Sequence, residues 1–245
     1  MVRFALLVLA GFGGGLTGSV AGLASLVSYP ALLATGLNPV GANVTNTVAL
    51  IFSSVGSVSG SRPELRNQSG RLRQLAPMAI LGGIAGGALL LLTPADAFAR
   101  IVPVLIFVAS CGVLIKRAPA EPNAAGADPR WLPLGVFAIG VYGGYFGAAA
   151  GVLLLALLLL ATHERLPHSN ALKNVLLGLS NAVAALGFII FGHVHWYAVF
   201  PLAVGLFLGG RLGPMVVRRA PATPLKLIIA AAGVGLAVKL GLDAY

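Results

Sequence analysis

Acidic side chains are rare in this chain of 245 residues. Only six Asp and Glu occur, and all lie in short connections or near the end of the sequence: Glu64, Asp96, Glu121, Asp128, Glu164 and Asp243. The long apolar stretches therefore contain no carboxylate, which leaves no buried acid relay for protons and no carboxylate pair for an enzyme embedded in a membrane. A cavity formed by such stretches suits an anion better than a cation.

Cysteine and metal-ligand patterns are also scarce. Cys111 is the single cysteine, so it has no partner for an internal disulfide, and we expect it to be a small packing residue. His163 and His168 flank one connection and His193 and His195 share another, without cysteine or carboxylate partners at ligand spacing. The sequence predicts neither a metal site nor a cofactor.

Apolar residues, in contrast, dominate the composition. They make up 58% of the chain, 33 residues are glycine, and the mean hydropathy is +0.96. Long runs without charge predict several membrane-spanning helices, because no water-soluble domain of this size has such a composition. Most of the 16 basic residues lie between these runs, as the positive-inside rule expects, so no nucleic-acid partner is predicted. The chain is predicted to be an all-α, multi-pass integral membrane protein whose surroundings are the lipid bilayer.

Five apolar segments are predicted in each half of the chain. The first two of each half are short for a crossing of about 20 helical residues. The sequence is compatible with half-helices, with a helix broken at glycine and with thin tilted crossings. Because these alternatives differ in how many segments cross the membrane, we predict eight to ten transmembrane segments. A first repeat over 1–116 and a second over 131–245 are joined by a polar cytoplasmic linker over 117–130. The segments are 3–20, 22–36, 41–60, 74–93 and 98–116, then 131–149, 151–162, 168–191, 197–217 and 223–242.

A glycine pattern marks the two halves as a duplication. Five glycines of the first half recur 129 positions later, each set opening a long apolar stretch. Such glycines allow close helix packing of the small-xxx-small kind, or they expose backbone amides where a helix is broken. The amides at the start of a half-helix favour an anion, because they carry the positive end of the helix dipole. The glycines are Gly11, Gly14, Gly15, Gly18 and Gly22, then Gly140, Gly143, Gly144, Gly147 and Gly151.

The placement of basic residues predicts that the two halves are inverted. In the first half the connection after the third segment is rich in arginine, whereas the matching connection of the second half, residues 192–196, has neither lysine nor arginine. After the fourth segment the distribution of arginine and lysine is reversed, because the connection of the second half is the more basic of the two. An odd number of crossings per half inverts the orientation in this way, so we predict two inverted-topology repeats, with the linker inside and both termini outside.

Polar residues open the third segment of each half. They are Asn43, Thr45, Asn46 and Thr47 in the first, and Ser169, Asn170, Lys173 and Asn174 in the second. One interpretation is that they form helix caps and hydrogen bonds between helices. The other is that Asn46 and Asn174 are symmetry mates lining a cavity, while Lys173 offers a positive charge to an anion instead of snorkelling to the cytoplasmic face.

Nearly the whole chain resembles the TauE/SafE sulfite exporter family of multi-spanning permeases. The resemblance rests on the glycine-rich residues 11–18, on 29–33 and 36–43, and on 140–151, 173–174 and 205–213. It implies transport of a small sulfur-containing or carboxylated anion, such as sulfite, a sulfonate or sulfoacetate, across the bacterial inner membrane.

We therefore predict a secondary transporter of a small anion, working by alternating access, and not an enzyme. An anion channel or an accessory membrane subunit of a larger complex is the alternative. The direction of transport is open, and so is coupling to a proton or a sodium ion. The expected substrate-binding residues are Gly14, Gly15, Gly18, Thr45, Asn46, Gly143, Gly144, Gly147, Lys173 and Asn174.

Overall fold

A computed structural model of the chain describes residues 2–114, 128–162 and 164–219, together with Val238 and Leu242. The described residues form helices and connections and contain no strand, which confirms the all-helical prediction. The predicted segment 223–242 and most of the linker 117–130 lie outside the described residues. The helices are α1 (Val2–Ala21), α2 (Ala24–Ala34), α3 (Pro39–Gly60), α4 (Arg62–Leu65), α5 (Ser69–Leu92), α6 (Ala95–Leu114), α7 (Leu132–Tyr145), α8 (Ala150–Thr162), α9 (Leu166–Phe191) and α10 (Trp196–Arg219).

Four of these helices are long and apolar enough to cross a membrane: α1, α5, α9 and α10. The shorter apolar helices are α2, α7 and α8. Large apolar side chains are exposed on the outside of the bundle, for example Leu92 of α5 at 81% and Phe200 of α10 at 66%. Such an exterior suits lipid and not water, so the chain is a multi-pass membrane protein.

The short early segments of each half are helical hairpins. In the first half α1 ends at Ala21, Gly22 takes a φ of +78°, and α2 turns back along α1, so that Gly14 lies against Ala24 and Ser28. Glycine suits this position because side chains disfavour a positive φ. The two helices are unequal in length, since α1 has 20 residues and α2 has 11.

The second half repeats this hairpin. Helix α7 ends at Tyr145, and the chain passes through Gly147 at a φ of +73° before α8 begins. Helix α8 then turns back along α7, bringing Leu157 against Gly135. Both halves therefore open with the same motif.

Close glycine contacts give the relative directions of the long helices. The contacts between α1 and α10 advance together along both helices, from Gly11 beside Gly205 to Gly15 beside Gly210. These two helices therefore run in the same direction. Contacts at other glycines give the same relation for α3 with α10, α5 with α7, and α5 with α9.

Helices α3 and α9 run in opposite directions. The start of α3 lies beside the connection that follows α9, where Gly41 approaches His195. Past the end of α3, the Gln68 side-chain amide donates a hydrogen bond to the backbone oxygen of His168 in the first turn of α9, at 3.3 Å. The helices thus form two groups, α1, α3 and α10 against α5, α7 and α9.

Arginine collects at one end of the bundle. The end of α3, α4, the starts of α5, α7 and α9 and the end of α10 lie together there, and we call this the arginine-rich end. Ion pairs tie the two halves together at this end. Arg71 bonds Asp128 at 2.6 Å and Glu164 at 2.8 Å, and Arg218 bonds Glu64 at 2.7 Å. The arginines are Arg62, Arg66, Arg71, Arg73, Arg130, Arg165, Arg218 and Arg219.

We expect Glu64→Gln to lower the thermal stability of the purified protein at pH 7. The hydrogen bond from Arg218 lowers the pKa of Glu64, so the pair stabilises the fold above the ordinary carboxyl pKa of about 4.3 and loses that effect as pH falls through the lowered value. The melting curves of wild type and variant in detergent should therefore converge once the pH falls below the lowered pKa of Glu64. Arg218→Gln should match Glu64→Gln, and the double variant should add nothing. A difference that persists at low pH would contradict the ion-pair explanation.

The two halves align with a smaller displacement than the glycines indicate. Helix α8 starts 126 positions after α2, and α9 and α10 start 127 positions after α3 and α5. The glycine spacing of 129 consequently equates positions with different surroundings: Gly18 lies inside α1, whereas Gly147 lies in the break after α7. The helix starts of the two halves therefore correspond in a different register from the glycines.

Candidate functional site: a cavity between two helix breaks

The two hairpins meet at their breaks. Gly22, in the first break, is in backbone contact with Gly151, in the first turn of α8. A side chain at either residue would collide with the backbone of the other, so the approach requires glycine on both sides. Two of the glycines that predict a duplication thus come together in space.

A small cavity, which we call the central cavity, opens beside this contact. Its volume is about 50 Å³, space for a few water-sized groups or one small oxyanion. Two helix breaks, one face of α3 and one face of α9 form its wall. The residues that matter for its chemistry are Gly18, Gly22, Ser25, Ser53, Ser54, Ser57, Gly147, Gly151, Asn174 and Asn181.

Two helix starts contribute to the central cavity. Ala24 and Ser25 in the first turn of α2, and Ala150 and Gly151 in the first turn of α8, all line it. Leu23, the residue before α2, provides no side-chain cap. The first turn of a helix carries the positive end of the helix dipole. In α8 the N–H groups of Ala150 and Val152 donate to the backbone oxygens of Gly147 and Ala149, so the contribution to the cavity is mainly that of the dipole. This arrangement attracts negative charge from two sides.

Asn174 adds a side-chain donor to the central cavity. The residue is only 6% exposed, and its Nδ2 has no hydrogen-bond partner among the residues that the structure describes. A buried amide without a partner is costly, which makes it a candidate for binding a ligand. Asn181 lies seven positions further along α9, two helical turns away on the same face.

Serine hydroxyls face Asn174 from α3. Ser53, Ser54 and Ser57 follow the spacing of one helix face, and Ser57 donates to the backbone oxygen of Ser53 at 2.8 Å. Serine hydroxyls both donate and accept hydrogen bonds, so they can donate to an anion without adding a charge to the cavity. Among the residues that the structure describes, no acidic side chain lines the central cavity.

Three of the expected substrate-binding residues line this cavity: Gly18, Gly147 and Asn174. Four others pack helices together. Gly15 lies against the backbone of α10, Gly144 against the backbone of α5, Gly14 against α2, and Gly143 near Ala150 and Leu177. These four follow the close-packing alternative.

Lys173 lies beside the central cavity but does not line it. Its side chain is completely buried, so it does not snorkel, and Nζ donates to the backbone oxygens of Gly18 at 3.0 Å and Ser19 at 3.2 Å. Asn170 Nδ2 donates to the same Ser19 oxygen at 2.9 Å. Carbonyl groups at the end of a helix lack partners within it, so Lys173 and Asn170 complete the hydrogen bonding at the end of α1.

The asparagines of α3 also hold helices together. Asn46 donates from Nδ2 to Ser25 Oγ at 3.2 Å and accepts from Ser28 Oγ at 2.6 Å, which fixes α2 against α3. Thr45 is buried at a distance from the cavity, where Oγ1 accepts from the backbone N–H of His195 at 3.2 Å. Asn46 is therefore one side chain away from the cavity, behind Ser25.

Hydrogen bonds show which asparagines of the two halves are equivalent. Asn43 donates to the backbone oxygen of Tyr145 at the end of α7, at 2.8 Å, just as Asn170 donates to Ser19 near the end of α1. The matching pair is thus Asn43 and Asn170, a different register from the expected pairing of Asn46 with Asn174. Helix capping by Ser169 or Asn170 is not observed, because α9 begins at Leu166 and both residues lie inside it.

The sequence did contain a signal for the lining residues that the predictions omitted. Ser53 and Ser57 are four positions apart in an apolar helix, and Asn174 and Asn181 are seven apart in another. A polar stripe on an otherwise apolar helix indicates a face turned toward a cavity or a partner. Which stripes meet is set by the packing of α3 on α9, and composition does not reveal that.

A second, wider space lies at the opposite end of the bundle from the arginines. It has a volume of about 520 Å³ and lies between the start of α3, the connection between α5 and α6, and the connection that follows α9. Its polar lining includes Asn38, Thr93, Asp96, His193 and His195. The bundle is therefore tied by ion pairs at one end and open at the other.

The chain is similar to known membrane transporters. The family model described as "Sulfite exporter TauE/SafE" matches residues 7–240. YfcA of Escherichia coli K12, named a probable membrane transporter protein, is 30% identical over 220 residues, covering 88% of this chain and 80% of the relative. The probable membrane transporter protein ORF9 of a Sinorhizobium species is 29% identical over 252 residues, covering 98% and 92%. No solved structure matches the chain significantly.

Proposed function

This chain belongs to the TauE/SafE family of membrane transporters, and we propose that it carries a small anion, bound in the central cavity, across the bacterial inner membrane by alternating access. A sulfur oxyanion or an organosulfonate, such as sulfite or sulfoacetate, is the proposed substrate. The family name supports the sulfur chemistry, and the two helix starts and the Asn174 amide support the negative charge. The proposal includes no catalytic step and no cofactor.

The proposal includes two inverted-topology repeats. Support comes from the helix directions: α1 runs parallel to α10 and α3, while α7 runs parallel to α5 and α9, and α3 and α9 are antiparallel. Helices α1, α2, α3 and α5 are then opposite in direction to their counterparts α7, α8, α9 and α10. Hairpins entering from opposite sides, with their breaks in contact, are the arrangement in which inverted repeats build a transport site.

The orientation that we propose places the arginine-rich end in the cytoplasm, following the positive-inside rule. The ion pairs of Arg71 and Arg218 then close the cytoplasmic side, and the wide space near His195 faces outward. Alternating access requires these ion pairs to separate when the site opens inward. The proposal leaves open whether a proton gradient or a sodium gradient drives transport.

The observation that carries the proposal is the buried Asn174 amide beside two helix starts, whose Nδ2 has no hydrogen-bond partner in the described part of the chain. The protein should be reconstituted in proteoliposomes, and uptake of sulfite, methanesulfonate and sulfate measured. We expect Asn174→Leu to lower the apparent affinity for the transported anion about 10-fold or more, since a hydrogen bond to a charged group contributes about 1.5–3 kcal/mol. Gln74→Leu is the matched control, because this amide is exposed at the start of α5.

The outcomes separate the proposed function from its alternatives. Unchanged transport by Asn174→Leu would remove this amide from the site. A carrier shows counterflow, in which unlabelled anion inside the vesicle accelerates uptake of labelled anion, whereas a channel does not. Absence of any anion transport by the purified wild type would favour an accessory subunit and contradict the proposal.

A further inference from the structure

An apolar groove lies directly beside the central cavity, between α3 and α9. It has a volume of about 420 Å³ and shares Ser54 and Asn174 with the wall of the cavity. Its sides are aliphatic and come from both helices: Ile51, Val55 and Val58, and Val175, Leu179 and Ala182. A small polar space thus adjoins a larger apolar one at two shared residues.

The spacing of these residues produces the groove. The three residues of α3 and the three of α9 each follow the i, i+4, i+7 pattern of a single helix face. At Gly178 the missing side chain lets α9 approach α3, where a Cβ would lie 2.9 Å from Cβ of Ser54. The groove is therefore an apolar channel with a floor of small residues.

We infer that, among the substrates proposed above, the preferred one is an organosulfonate with a short apolar tail, whose charged group lies in the central cavity and whose tail lies in the α3–α9 groove. This inference rests on the proposed function. The central cavity, at about 50 Å³, holds a small oxyanion head but no attached chain, so an organic substrate has to extend beyond it. The groove begins at the residues where such a chain leaves the cavity.

The polar residues at the far end of the groove limit the length of this tail. Ser59 and Arg62 line the groove toward the arginine-rich end. The five positions from Ser54 to Ser59 rise about 7.5 Å along the helix, enough for a tail of several carbons. A longer chain has to pass the Arg62 guanidinium, so the affinity should rise with chain length and then stop rising.

A series of alkyl sulfonates tests this inference in proteoliposomes. Methanesulfonate, butanesulfonate, hexanesulfonate and dodecanesulfonate should compete with labelled methanesulfonate, and each methylene that leaves water for the groove strengthens binding up to about 4-fold. We expect hexanesulfonate to compete at least about 10-fold better than methanesulfonate, with no further gain for dodecanesulfonate. Leu179→Trp, which fills the groove, should remove the advantage of hexanesulfonate over methanesulfonate.

Leu186→Trp is the matched control, since Leu186 lies on α9 outside the groove and is 58% exposed. A preference for longer chains that persists in Leu179→Trp, or that continues to rise to dodecanesulfonate, would indicate partition into lipid and overturn the inference. If uptake of methanesulfonate depends on Asn174 but longer sulfonates compete no better, the inference of an apolar tail is wrong and the proposed function still stands. Failure of every anion to be transported would overturn both.

Discussion

Replacing Gly151 by leucine should abolish transport. A Cβ atom at this position would collide with the Cα of Gly22 and lie 3.1 Å from its backbone oxygen, and a leucine side chain would force the hairpins further apart. The neighbour is backbone and not a flexible side chain, so it has no rotamer by which to move away. Overpacking of this kind typically costs about 1–3 kcal/mol, and here it also displaces both helix starts from the central cavity.

The measurement is anion uptake per folded protein, with the folded fraction taken from gel filtration in detergent. Gly151→Ala should retain a folded fraction but lose most uptake, because one methyl group suffices for the collision. Gly70→Ala and Gly70→Leu are the controls, since a Cβ at Gly70 meets nothing within 4 Å. Full uptake by Gly151→Leu would show that the contact between the two breaks is dispensable for transport.

The helices of this protein were largely predictable from sequence. Apolar runs bounded by arginine, proline and glycine place each of the first nine segments on a helix, because the bilayer requires long, internally hydrogen-bonded elements. The glycine spacing also predicts two related halves, but it does not predict the register in which their helices correspond. A displacement of 129 equates Gly18 with Gly147, whereas the helices of the two halves start 126 or 127 positions apart, so Gly18 lies inside α1 and Gly147 lies in the break after α7.

The candidate site was only partly predictable, for a physical reason. A polar residue in an apolar segment satisfies its hydrogen bonds either with a ligand or with a neighbouring helix, and sequence does not distinguish the two. Asn46 and Asn174 occupy comparable segments, yet Asn46 bonds Ser25 and Ser28 while the Nδ2 of Asn174 finds no partner in the described part of the chain. The difference arises from the position of α2, which covers Asn46.

The same ambiguity applies to Lys173, and its replacement should separate two roles. A lysine that binds the substrate can be lost with little effect on folding, whereas one that completes a helix end cannot. Nζ lies within hydrogen-bond distance of two backbone oxygens near the end of α1, and the side chain is entirely buried. A cation beside the carbonyl end of a helix is also favoured by the helix dipole. We therefore expect Lys173 to act as a positioning residue for the first hairpin.

Lys173→Met keeps most of the side-chain volume and removes both hydrogen bonds, each of which costs about 1–3 kcal/mol when a buried group is left without a partner. We expect the melting temperature in detergent to fall by about 5 °C or more. Uptake should fall for every anion by the same factor, so that the order of preference among sulfite, methanesulfonate and sulfate is unchanged. Asn174→Leu should show the reverse pattern, with near-normal melting and a selective loss of anion affinity. If Lys173→Met melted like the wild type and lost only anion affinity, the lysine would be a ligand of the substrate, and its bonds to Gly18 and Ser19 would not be needed to position the first hairpin.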